Sequence, residues 1–218
     1  MLSIPVQRFA CEKSLLVLQS EFKSQVQEIT IDDVDLVEQL QRGSQTAFSM
    51  LLNRWQNRVY TQCYQHLQRQ DLAEEATQEI FVKVYQGISK FQYKSKFSTW
   101  LFRIVRNHCI NVHQYNNRRK QDFHDPLEGT NPDHPRQLAI SQDDPQEAQE
   151  RKELKTLVHT GLAKLSDSQR EVLVLRDIQE FSYEEIGNIL KVSTGTVKSR
   201  VHRAREALKP ILLKLLEK

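Results

Sequence analysis

The stretch Ser182–Arg205, SYEEIGNILKVSTGTVKSRVHRAR, decides how the chain is read. Ser182 stands three residues before Glu185, the spacing of a reciprocal capping box, and Phe181 and Ile186 occupy the hydrophobic-staple positions around it. Ser193 repeats the start signal, with Val192 and Val197 as its staple and Thr196 where a full box has Glu or Gln. Ile186, Ile189 and Leu190 line one face of the first predicted helix; Val197, Val201 and Ala204 line one face of the second. The outer face of the second is then Thr196, Lys198, Ser199, Arg200, Arg203 and Arg205. Two capped helices, a tight turn and a basic second face predict a helix-turn-helix whose second helix enters a DNA major groove. A plain helical hairpin with a solvated basic face is the bland alternative, but it gives no reason for caps, staples and charge segregation to coincide.

Outward from this motif the patterning stays helical. Ser166 and Gln169 form another capping box, opening a helix that carries Val172, Leu173 and Leu175. Before it, Leu154, Leu157, Val158, Leu162 and Leu165 recur at three- and four-residue steps. After it, Pro210 is expected to end or kink the second helix, and the apolar tail Ile211–Leu216 is expected to finish a small core or meet a partner. Residues 116–147 contain Pro126, Pro132, Pro135, Pro145 and Gly129 among polar residues, a composition that breaks helices and buries little, so they are read as a linker. The C-terminal domain is accordingly 148–218 and the N-terminal one 31–115, preceded by a weakly patterned extension, 1–30.

Within 31–115, Asp35–Arg42 predicts a short helix stopped by Gly43, and Phe48, Leu51, Leu52, Trp55, Val59, Cys63 and Leu67 predict a long amphipathic helix over Thr46–Gln68. Asp71 is read as the N-cap of the next helix, with Ala73, Ala76, Ile80 and Val84 inward. Asp71, Glu74, Glu75 and Glu79 come without an intervening Lys or Arg, so the opposite face, Glu75, Gln78 and Glu79, is either a solvated surface or a docking face for a basic partner. From Lys94 to Lys120 the charge reverses: seven basic residues and no Asp or Glu, interleaved with Phe97, Trp100, Phe102 and Tyr115. Several of these rings belong in a core, as Phe97, Leu101, Ile104 and Val105 make an inward stripe; the block as a whole suits a surface that tracks a sugar–phosphate chain and stacks bases.

Composition narrows the class. Few Gly and Pro and no alternating β-branched run predict an all-α protein of two small helical domains. The net charge of +3 identifies no partner; its distribution does. The longest apolar run near the N-terminus, Leu15–Leu18, is too short for a signal peptide or membrane span, which makes the cytoplasm the expected compartment. Cys11, Cys63 and Cys109 are odd in number and scattered, as reduced thiols are, with Cys63 on an apolar stripe. His108, Cys109 and His113 lie close in sequence, but no further pair at zinc spacing accompanies them, so no metal site or cofactor is expected.

These segments resemble the extracytoplasmic-function (ECF) type of sigma factor of bacterial RNA polymerase. DLAEEATQEIFVKVYQ at Asp71–Gln86 is similar to that family's region 2.2, FSTWLFRIVRNHCIN at Phe97–Asn111 to regions 2.3 and 2.4, and Leu165–Lys209, which contains TVKSRVHRAR, to region 4. The resemblance implies a non-enzymatic specificity subunit that directs transcription initiation. It implies that Asp71, Glu75, Gln78 and Glu79 bind the β′ clamp helices of core polymerase, with a further contact to the β flap. It assigns recognition and melting of the promoter −10 element to Lys94, Lys96, Ser98, Thr99, Trp100, Arg103, Arg106, Asn107 and Asn111, and duplex −35 recognition to Thr196, Lys198, Ser199, Arg200, Arg203 and Arg205. An anti-sigma factor is the further partner it implies. The rival reading, a stand-alone helix-turn-helix regulator, needs a dimerisation surface and palindromic half-sites, and nothing in 31–120 resembles a ligand or receiver domain. A metal hydrolase built on His108, Cys109 and His113 is the remaining rival.

Overall fold

A computed structural model describes residues 31–122 and 145–217. Among these every regular element is helical, and the chain divides into two compact units. The predicted extension 1–30 and most of the predicted linker, including Pro126, Gly129, Pro132 and Pro135, lie outside the described residues.

The first unit contains α1 (Asp33–Gln41), α2 (Gln45–Leu67), α3 (Gln70–Gly87), a 3₁₀ turn (Ile88–Lys90) and α4 (Phe97–Asp122). α2 packs along α3, and α4 closes against both. The shared core holds Leu36, Val37, Leu51, Trp55, Val59, Cys63, Ala76, Ile80, Val84, Leu101, Phe102 and Val105, the large ones worth roughly 1.5–3 kcal/mol each on full burial. α1 begins two residues earlier than the predicted Asp35 because Asp33 is tied down: Arg54 on α2 donates to its carboxylate at 2.6 Å and to the Ile31 carbonyl at 2.9 Å. Gly43, at φ +93°, makes the left-handed stop that its sequence position predicts. Ser44 Oγ then caps α2 through the Ala47 N–H at 3.3 Å.

Asp71 is not an N-cap. α3 begins at Gln70 behind an extended Arg69, which makes no side-chain cap, and Asp71 sits in the first turn paired with the Arg69 guanidinium. Gln68 takes the left-handed conformation at the end of α2, which leaves a single residue to turn the corner and draws Asp71 into the helix. α4 also runs past the predicted linker start at 116, as far as Asp122. No Gly or Pro interrupts it, and Arg118 lies where the helix dipole favours cations.

The C-terminal part of the chain contains α5 (Pro145–Ala163), α6 (Asp167–Leu173) continuing as a π-helical turn (Val174–Ile178), α7 (Tyr183–Leu190) and α8 (Thr194–Leu216). Pro145 opens α5 where the linker reading made it a breaker; at a first helical position its missing N–H costs nothing. The Ser182 box forms in both directions, with the Ser182 N–H on Glu185 Oε2 at 2.8 Å and the Glu185 N–H on Ser182 Oγ at 3.2 Å. Ser193 Oγ accepts the Thr196 N–H at 3.2 Å and also meets Thr196 Oγ1 at 2.8 Å, so the cap forms in one direction and the threonine hydroxyl bonds the serine side chain instead of its backbone N–H.

Pro210 does not end α8, which continues through it to Leu216. One backbone bond is forfeited there, while Leu208 and Leu212 on either side are buried. The apolar tail therefore completes the core at Leu212 and leaves Leu216 about half exposed. α5 approaches α8 at Gly161, where a Cβ would lie 2.7 Å from Leu212 Cδ2 and 3.2 Å from Leu208 Cδ1.

Candidate nucleic-acid and polymerase interfaces

On α3 the predicted docking residues Asp71, Glu75, Gln78 and Glu79 are all exposed. The helical period continues that face through Val82 and Tyr85, both about half exposed, and Tyr85 rests edge-on against Phe48 at 5.1 Å. These two escaped the sequence reading, although their spacing from Gln78 and Glu79 signals them. Glu79 lies 3.9 Å from Lys83 and 3.7 Å from Nε2 of the buried His108. Lys83 Nζ sits 2.5 Å from His108 Nδ1; an ammonium can only donate, so Nδ1 accepts and the ring proton belongs on Nε2, toward Glu79. Burial pushes the His108 pKa down, Lys83 lowers it further, and Glu79 and Glu75 oppose the shift. His108 is thus engaged in this cluster, Cys109 is buried beside it in sequence, and His113 is exposed; among the described residues no three metal-ligating side chains gather.

Between α3 and α4 the chain presents a ring cluster. Phe91 meets Tyr93 at 4.9 Å and Trp100 at 5.2 Å, and Phe97 meets Trp100 at 5.9 Å and Trp55 at 6.1 Å. Phe91 and Phe97 are core, whereas Trp100 is only half-buried and Tyr93 is exposed. Lys94 and Lys96 are exposed on the loop, Ser98 is half-buried, and Thr99 is buried at 1% exposure. Along α4, Trp100, Arg103, Asn107 and Asn111 fall on one stripe at 100° per residue, with Arg106 one step to its side. Thr99 lies between Arg106 and Arg103 in angle, and its burial is what sets it apart.

The loop itself is fastened from α1. Gln41 Nε2 donates to the carbonyls of Ile88 at 2.8 Å and Phe91 at 3.0 Å, and Gln41 Oε1 accepts from the Tyr93 hydroxyl at 3.1 Å. Tyr93 holds φ +57°, the left-handed region that a bulky residue seldom occupies. No sequence signal links Gln41 to this loop, because the partners are about fifty residues apart.

In the second unit the six predicted residues of α8 separate by helical angle. Thr196, Ser199, Arg200 and Arg203 share a stripe, while Lys198 and Arg205 lie on the opposite side, at the edge of the buried face. Ser199 Oγ donates to the Thr196 carbonyl at 3.0 Å. Lys198 Nζ lies 5.8 Å from the Tyr183 ring, over which Arg176 also sits at 4.6 Å. Arg205 makes a two-pronged pair with the buried Asp177, at 2.5 and 3.2 Å. The single outer face assigned from sequence is therefore divided, since Asp177 in the π-helical turn draws Arg205 away from it.

Described residues that are helical throughout, with an acidic face on one helix, a cationic ring-bearing helix and a capped helix-turn-helix, have the build of a transcription initiation factor. Residues 51–120 match sigma-70 region 2, and residues 155–208 match sigma-70 region 4. The chain is 35% identical over 176 residues to the ECF RNA polymerase sigma factor SigW of Bacillus subtilis, covering 79% of this chain and 92% of that one. It is 34% identical over 180 residues to the ECF RNA polymerase sigma-E factor of Escherichia coli K12, covering 82% and 93%. Among solved structures it is similar to the sigma factor RpoE of Bartonella quintana, solved with the anti-sigma factor NepR, with a TM-score of 0.63 and 27% identity over 76% of this chain and 96% of that one. The chain belongs to the ECF sigma factors of bacterial RNA polymerase. Its work is promoter-specific transcription initiation, and it is not an enzyme. None of the described helices is long and apolar enough to cross a membrane.

Proposed function

We propose that the three surfaces divide the work of initiation. Glu75, Gln78 and Glu79, extended by Val82 and Tyr85, form the face that docks on the β′ clamp helices, with Asp71 at its start. Lys94, Lys96, Ser98 and the stripe Trp100, Arg103, Asn107 and Asn111, flanked by Arg106, take the melted −10 strand. Cations neutralise phosphates there, and the partly exposed Trp100 offers a stacking surface for an extruded base, which offsets the few kcal/mol that unstacking costs. Thr99 acts from beneath, as packing under the loop. Thr196, Ser199, Arg200 and Arg203 face the −35 duplex, where side chains that reach base edges each contribute about 1–3 kcal/mol of discrimination. Lys198 supplies a phosphate contact, and Arg205 holds α8 to the π-helical turn. The protein works in the cytoplasm and is held in check by an anti-sigma factor, as the RpoE–NepR pair suggests.

The observation that carries this reading is the split of charge within one unit: carboxylates on α3, and cations with a partly exposed Trp on the loop and α4. Promoter mapping of transcripts made by polymerase reconstituted with the chain tests it. Glu75→Lys with Glu79→Lys is expected to abolish core binding with the helical circular dichroism unchanged. Arg203→Ala is expected to weaken −35 duplex binding and leave core binding intact. Equal loss of both activities in either variant contradicts the division of surfaces.

A further inference from the structure

We infer that Gln41 is a positioning residue that presets the loop between α3 and α4 for capture of single-stranded promoter DNA. Its carboxamide is matched on both sides: the amide nitrogen holds two carbonyls, at Ile88 and Phe91, and the oxygen holds the Tyr93 hydroxyl. Those three residues bracket the start of the loop, and Lys94 and Lys96 follow immediately. The Tyr93 backbone at φ +57° is a conformation that a free chain avoids, so side-chain contacts have to hold it. The Phe91–Tyr93 ring contact at 4.9 Å is one hold; the Gln41 bonds are the other. Gln41 is the last residue of α1, which is itself anchored to α2 through Asp33 and Arg54, so the loop is referred to a rigid helix and not to its own flexible ends. Without the clamp the loop backbone that carries Lys94 and Lys96 would sample more positions, and binding a strand would first require ordering it.

The inference rests on the proposed role of this loop at the −10 element, and the experiment separates the two. Holoenzyme is assembled from core polymerase with the full-length chain carrying Gln41→Met, Tyr93→Phe, or Lys94→Ala with Lys96→Ala. Affinity for a fluorescent single-stranded oligonucleotide of the −10 non-template sequence is measured across a salt series, and core affinity is measured separately. Gln41→Met keeps the volume and loses all three bonds; it is expected to weaken oligonucleotide binding about tenfold with core affinity unchanged. Its salt slope is expected to stay that of the unaltered chain, because the lysines still reach their phosphates once ordered, whereas the lysine pair is expected to flatten the log–log slope by about 1.4, the value for two lost single-strand phosphate contacts. Tyr93→Phe loses one bond and is expected to weaken binding about threefold, and it carries the test alone should Gln41→Met not fold. If the lysine pair matters and neither clamp variant does, the clamp is overturned and the loop's role stands. If the lysine pair has no effect, the −10 assignment of the loop fails and the inference with it. A parallel fall in core affinity reduces Gln41 to a fold-holding residue and overturns the inference.

Discussion

Asp177 and His108 show how single polar side chains are placed by this fold. Asp177 is buried and has Arg205 as its partner, so removing the arginine leaves a carboxylate without its cation in a poorly solvated site. Arg205 is half exposed and solvent screens part of the attraction, so Arg205→Ala is expected to cost only about 1–2 kcal/mol, read as a lowered urea midpoint with an unchanged slope. His108 gives a pH signature. Its folded pKa lies below the ordinary 6.5, because burial and then Lys83 disfavour the imidazolium more than Glu79 and Glu75 favour it. The unfolded chain therefore takes up a proton that the folded chain resists. The contribution is fully present above about 6.5 and is lost as pH falls from there through the lower folded value. Melting temperature is expected to decline over that window, and His108→Gln is expected to flatten the decline; an unchanged slope in the variant contradicts the assignment.

At the scale of elements, helix ends and one close crossing do most of the positioning. The Ser182–Glu185 box sets where α7 starts, and with it the register of the helix-turn-helix. Ser182→Ala is expected to lower stability by about 1 kcal/mol, and Ser182→Gly by only a few tenths, in thermal denaturation followed by circular dichroism. Gly161 lies where α5 crosses α8, and a branched side chain there would press on the buried Leu212 and Leu208. Gly161→Val is expected to destabilise by about 1–3 kcal/mol, which a scan of melting temperature would detect. Pro210 belongs to the same crossing: local chemistry predicts a break, yet burial of residues on both sides of it outweighs the one backbone bond it forfeits.

For the whole molecule, the division into two units makes their functions separable. Fragments 31–122 and 145–218 are each expected to fold with cooperative helical melting, the first binding core polymerase and the second binding −35 duplex weakly. Mixed together unlinked, they are expected to support far less promoter-specific transcript than the intact chain. Tethering turns the second binding event into an intramolecular one, worth a factor on the order of 10²–10⁴. Transcription from the mixture equal to that from the intact chain would show that the tether contributes nothing.

The all-helical character, the caps at Ser182 and Ser193, the inward stripes and the glycine stop at Gly43 were determined by sequence alone. They rest on periodicity and on bonds spanning three or four residues, which local chemistry encodes. The order of an acidic helix, a cationic ring-bearing helix and a helix-turn-helix was legible for the same reason. Tertiary structure decided the rest. It made Asp71 a first-turn residue, carried α4 past Asn116, kept α8 helical through Pro210, buried Thr99, and turned Arg205 toward Asp177. It also brought Gln41 to a loop about fifty residues away. Each of these depends on which distant group a side chain meets, or on burial outweighing a local preference, and neither is written in residue spacing.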